Sequence, residues 1–137
     1  MNFFNYLFYR LYWLQTSILK EKDVPLFFAV LELSVLQGLN IIFIIEFFLF
    51  YILGLSFQLN KEIYIIIGLI TFIIDFIYYK RKNRYRKIFK YFDQIEKKNK
   101  FIKDIFILIY VILTFILMIW LASEIREINI NNNFNVN

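Results

Sequence analysis

The run from Ile105 to Ala122 contains no charged residue and no proline, and Trp120 closes it. At 1.5 Å per residue a helix over this run crosses most of the ~30 Å hydrocarbon core of a bilayer. Two more apolar runs accompany it. One extends from Pro25 to about Phe57 and is interrupted by charge only at Glu32 and Glu46; the other, Ile63 to Tyr79, holds Asp75 as its single charged residue. The first would make a helix of roughly 50 Å, longer than the core, so it tilts or leaves the bilayer at one end. Splitting it in two fails, because neither half reaches ~20 apolar residues and Gly38 with Asn40 is a weak turn. The expected fold is therefore an all-α integral membrane protein with three transmembrane helices.

A water-soluble fold would have to hide too much. Of 137 residues, 61% are hydrophobic and 22% aromatic, with three glycines and one proline to punctuate turns. A chain of this size buries only about two-thirds of its unfolded surface, so lipid must cover the rest. Cysteine and histidine are both absent, which removes disulfides, thiolate and imidazole chemistry and the commonest transition-metal ligands. No metal site and no cofactor is expected.

Basic residues near span ends are retained on the cytoplasmic side. With three spans, Arg10, Lys20, Lys22 and every basic residue from Lys80 to Lys103 fall on one side, fourteen of the sixteen in the chain; Lys61 and Arg126 alone fall on the other. The expected order is an amphipathic helix over 1–23, spans over 24–57 and 63–79 joined by an external loop 58–62, a basic cytoplasmic helical loop over 80–104, a third span over 105–123, and a polar Asn-rich external tail, 124–137. The amino terminus is expected in the cytoplasm, the carboxyl terminus outside, and the membrane is expected to be the inner (cytoplasmic) one. Ile, Phe, Lys, Asn and Tyr are over-used together, as in AT-rich coding sequence, and that bias suffices to explain the tail.

Within 1–23, Phe3, Phe4, Leu7, Phe8, Leu11, Leu14 and Ile18 share one helical face; Asn5, Tyr6, Tyr9, Tyr12, Trp13, Thr16 and Lys20 share the other. This pattern suits a helix lying among headgroups with its Tyr and Trp rings between water and acyl chain. The segment lacks the basic start and cleavage site of a signal peptide and is expected to be mature structure. Asp23 before Val24 and Pro25 is placed to cap the next helix. In the basic loop, Tyr85, Ile88, Phe89, Phe92 and Ile95 share a face, predicting about four helical turns that extend the second span. Lys80, Arg81, Lys82, Arg84, Arg86, Lys87, Lys90 and Lys97 are its candidate contacts with anionic lipid headgroups. Because retention on the cytoplasmic side already accounts for these charges, no nucleic-acid partner is expected.

Ionisable and polar residues inside the spans are the sharpest functional clue, since each costs a few kcal/mol in a bilayer and tends to face the bundle interior. Tyr64, Gly68, Thr71 and Asp75 form one stripe on the second span; Glu32, Asn40 and Glu46 lie within a third of the circumference of the first; Tyr110 and Thr114 lie on one side of the third. These are the candidate helix-interface or ion-path residues. Glu32 and Asp75 sit at similar depth, where they could share a proton, with Arg10, Lys80 or Arg81 as competing partners for Asp75. Glu46 falls near the outer headgroups or at mid-membrane, depending on where the bilayer is centred.

Motifs of known catalytic mechanism are absent, and no catalytic residue or enzyme activity is expected. Two functions follow. The first is a non-enzymatic protein that binds a membrane partner through helix–helix contact, as a complex subunit or an immunity-type neutraliser. The second is a homo-oligomeric cation-conducting pore or membrane-perturbing effector, with rings of Glu46 or Asp75.

Overall fold

The computed structural model describes the backbone of residues 3–20, 24–54, 59–94 and 97–134, with side chains from 100 to 128 in the last stretch. Among these residues there is no strand. Helix α1 (Phe3–Trp13) continues into a π turn, Leu14–Ile18; α2 (Pro25–Phe47) continues into a second, Phe48–Ile52; α3 (Lys61–Lys80) leads through a short 3-10 turn, Arg81–Asn83, into α4 (Arg84–Asp93); and α5 spans Lys97–Phe134. Three stretches are long and apolar enough to cross a membrane: Pro25–Ile52, Lys61–Asp93 and Lys100–Ile128.

Local chemistry explains most of the boundaries. Pro25 opens α2, where its fixed φ suits a helix and its missing N–H is not required. The carbonyl of Val24 accepts Phe27 N at 3.0 Å; Asp23, the expected cap, lies outside the described residues. The second π turn closes with Leu53 N donating to Phe48 O, and Gly54, at φ +65°, turns the chain away. Asn60 adopts an extended conformation before α3 and its carbonyl accepts Ile63 N at 2.9 Å.

Helix α2 is central. Buried residues make up 39% of its most apolar stretch, against 17% for the second apolar stretch and 11% for the third, so α3 and α5 pack on α2 and leave most of their own surface outward. Where α2 and α3 cross, Gly38 faces the backbone of Gly68: a Cβ on Gly38 would stand 3.9 Å from the Gly68 Cα, while a Cβ on Gly68 would meet open space. Paired glycines allow such close approach of two backbones.

Three expectations need correction. Helix α1 is not laid out with one face against protein; it packs on the other helices with residues of both faces. Tyr6, Tyr9, Leu7 and Phe8 are buried, while Phe3 and Phe4 are 40% exposed. The reason lies in α4, whose own aromatic stripe matches it: Tyr6 meets Phe92 edge-on at 5.0 Å, Tyr9 sits 5.3 Å from Phe89, and Phe8 stacks on Tyr79 of α3 at 4.0 Å. Such pairs contribute about 0.5–1.5 kcal/mol each beyond the area they bury.

The basic segment 80–104 is likewise not one helix continuing α3. Lys82 (φ 54°) and Asn83 (φ 53°) are both left-handed, which breaks the helix and turns α4 back so that Ile88 and Phe92 are buried in the core that α1 enters. Residues from Lys97 onward already belong to α5. Ile95, expected on the same apolar face, lies outside the described residues. The third correction concerns 124–137: α5 continues through Phe134, since no glycine or proline follows Ala122 to stop it.

Candidate functional site

From Glu32 to Glu46, α2 carries a ladder of polar side chains, and successive rungs reach different neighbours. Glu32 Oε1 accepts Gln15 Nε2 at 2.7 Å, from the π turn that follows α1. Its second oxygen, Oε2, is buried without a partner. Two residues on, Ser34 Oγ lies 2.7 Å from Val30 O and 3.1 Å from Oδ2 of Asp75 on α3. Asn40 donates to Leu36 O and to the Tyr110 hydroxyl of α5; Thr114 Oγ1 stands 3.5 Å from Asn40 Oδ1 and donates to Tyr110 O at 2.9 Å. At the far end Glu46, 3% exposed, accepts from the Tyr64 hydroxyl of α3 and from Leu59 N at 3.3 Å.

The nine residues singled out in the spans thus separate into distinct contacts. Glu46 joins Tyr64, and Asn40 joins Tyr110 and Thr114. Gly68 sits against Gly38, and Thr71 turns its hydroxyl back to Ile67 O at 2.7 Å. Glu32 and Asp75 have separate partners, Gln15 and Ser34, with no hydrogen bond between them. Glu46, whose depth the sequence leaves open, lies beside the connection between α2 and α3 and is covered by Tyr64. Ser34, Gln15 and Gly38 are partners the sequence reading passed over. One signal for two of them was present: Ser34 and Gly38 are four apart, the small-residue spacing of close helix crossings.

Asp75 is 8% exposed and borders a groove of about 290 Å³ between α2 and α3. Ile41, Ile67, Ile70 and Ile74 form most of its wall; Gln37, Thr71 and Asp75 supply the polar groups. Gln37, Ile74 and Asp75 also border a second, adjoining depression, beside Asn5, Tyr78 and Tyr79. The arrangement offers a carboxyl, an amide and a hydroxyl within an apolar cleft, which is what a polar side chain on another helix needs in order to be held.

None of the three cations expected to compete for Asp75 reaches it. Arg10 pairs instead with Asp104 of α5 at 2.6 Å, Tyr6 donates to the same carboxylate at 2.8 Å, and Lys80 lies over the Phe76 ring. Burial, the hydrogen bond to Asp104 and the negative charge of that carboxylate together push the Tyr6 hydroxyl well above the ordinary tyrosine range. Of the other basic candidates, Arg84 lies over Tyr78 at 4.2 Å and Arg86 over Tyr85. Arg81, Lys82, Arg84 and Lys87 line a common cavity. Lys90 is exposed, and the side chain of Lys97 lies outside the described residues. No three carboxylates among the described residues converge in a way that would hold a metal ion.

Comparison with known proteins returned no match: no family model, no curated protein and no solved structure is similar to this chain.

Proposed function

We propose that this is a small, non-enzymatic, multi-pass protein of the inner membrane that acts by binding another membrane protein helix to helix, as a subunit of a complex or as a neutraliser of a membrane-active toxin. The observation that carries the reading is the groove at Asp75. A carboxyl group set beside Gln37 and Thr71 in an otherwise isoleucine-lined cleft is costly against acyl chains, and a partner helix presenting a hydrogen-bond donor there offsets the cost. The amino terminus is taken as cytoplasmic. Supporting this, Arg10 of α1 and the basic residues of α4 and early α5 gather at one end of the bundle, through the contacts of Tyr6 with Phe92 and of Arg10 with Asp104.

Photo-crosslinking from Ile41 or Ile70, which line the groove, tests the reading in native membranes. A single defined adduct, lost when Asp75→Leu and Gln37→Leu are combined, is expected. An unchanged adduct pattern in that variant would remove the groove as the binding surface.

A second reading, a homo-oligomeric cation-conducting pore, is favoured by the outward-facing surface of α3 and α5, through which copies could associate. Its ring would be of Asp75 and not Glu46, because Tyr64 covers Glu46 within each chain. An adduct of twice the 16.9 kDa chain mass, together with cation conductance in reconstituted bilayers, would decide for it.

A further inference from the structure

We infer that the kink between α3 and α4 is a binding site for a phosphate group, of the kind borne by an anionic phospholipid headgroup. This rests on different residues from the proposed helix-binding groove and stands independently of it.

The sequence supplies a broad run of cations, but the fold sorts them. Arg81, Lys82, Arg84 and Lys87 line one cavity of about 260 Å³, and among the described residues no acidic side chain lines it with them. Both ion pairs among the described residues lie elsewhere, at Arg10 with Asp104 and at Lys100 with Asp93. Lys80, Arg86 and Lys90, which belong to the same run, are not part of the lining. Two of them rest on aromatic rings instead, Lys80 on Phe76 and Arg86 on Tyr85.

Gathering these four charges takes a specific backbone. On a continuous helix Arg81 and Lys87 would stand roughly 9 Å apart along the axis and about 120° apart around it, facing different surroundings. The left-handed pair Lys82 and Asn83 turns α4 back and brings them to one cavity. Left-handed backbone is unfavourable for a residue with a Cβ, and like charges placed together repel. A bound anion compensates the second cost directly. Phosphate suits the site better than a carboxylate: it carries more charge and more acceptor oxygens, enough to engage two guanidinium forks and two ammonium groups. Arg84 is held over Tyr78 at 4.2 Å, which fixes one of those forks at the end of α3, where an apolar helix leaving a bilayer meets headgroup phosphates.

The test uses the full-length protein in nanodiscs of a zwitterionic lipid doped with phosphatidic acid, with native mass spectrometry counting bound lipid. Two double variants remove equal charge: Arg81→Gln/Lys87→Gln from the cavity and Arg86→Gln/Lys90→Gln from the same helical segment outside it. All four residues are exposed, so both variants keep the fold, and circular dichroism verifies it. Saturable binding of one phosphatidic acid per chain is expected, at least tenfold weaker in the cavity variant and within twofold of wild type in the other. Competition by millimolar pyrophosphate would assign the same site to soluble phosphates, and resistance to it would assign the site to lipid. Non-saturable binding, or equal loss in both variants, would reduce the kink to diffuse surface charge and overturn the proposal.

Discussion

Gly38 and Gly68 meet across the crossing of α2 and α3, so close that a methyl group on the first would touch the backbone of the second at 3.9 Å. That separation is ordinary van der Waals contact. Alanine at Gly38 therefore fits, and its better helix propensity makes the change neutral or stabilising by up to about 1 kcal/mol. Leucine does not fit without separating the helices, and Gly38→Leu is expected to cost about 1–3 kcal/mol. Thermal melts in detergent compare the three proteins. Because the chain has no cysteine, a Gly38→Cys/Gly68→Cys protein forming an intramolecular disulfide on oxidation reports the crossing without background.

Arg10 and Asp104 hold α1 to α5. Both side chains are less than a third exposed, and the pair by itself is worth roughly 0.5–1 kcal/mol in a double-mutant cycle. Asp104→Ala is expected to cost more than Arg10→Ala, by about 1 kcal/mol, because it also removes the nearer and charged acceptor of the buried Tyr6 hydroxyl, leaving it the Lys100 carbonyl at 3.2 Å. Equal costs for the two substitutions would mean that Tyr6 draws nothing from this carboxylate.

Alkaline pH acts on the same cluster. Tyr6 holds its proton in the folded protein above the ordinary tyrosine value, while the unfolded chain releases it near pH 10. The folded state therefore binds more protons once pH passes about 10. Its contribution to stability is complete below that point and declines as pH rises toward the raised folded value. Between pH 9 and pH 11 the wild type is expected to lose about 1 kcal/mol more than Tyr6→Phe, measured by denaturant unfolding in detergent. Parallel losses in the two proteins would contradict the assignment.

Tyr64 covers Glu46, and removing the hydroxyl leaves a buried carboxyl group with Leu59 N as its remaining donor. Tyr64→Phe is expected to destabilise the protein by about 1–3 kcal/mol. Adding Glu46→Gln, whose amide asks less of its surroundings, is expected to recover part of the loss. A pair of additive costs would show that the two groups act separately.

The three apolar helices were legible because hydropathy over ~20 residues does not depend on what packs where. The polar positions within them were legible for the same reason: Asn40, Glu46, Tyr64, Asp75, Tyr110 and Thr114 stand out against isoleucine. Their pairing was not. Glu32 and Asp75 match in depth along the sequence, yet the rotation of α2 against α3 gives Asp75 to Ser34, and the π turn at Leu14–Ile18 brings Gln15 to Glu32. Periodicity found both faces of α1 but could not say that both met protein, because a tyrosine stripe serves a headgroup layer and a second aromatic helix equally well. The break at Lys82 and Asn83 lacks the glycine or proline that would have announced it.

The contacts of α1 also set an order of assembly. Arg10 and Tyr6 find their acceptor 94 and 98 residues further along the chain. At typical rates of synthesis the ribosome needs about 5–20 s to make that intervening stretch. For that interval α1 can pack on α2, and on α3 and α4 as they emerge, but the carboxylate that Arg10 and Tyr6 share is not yet made. The anchoring of α1 to α5 is thus the last of its contacts to form, and truncating the chain before Asp104 leaves Arg10, 94 residues upstream, without its partner.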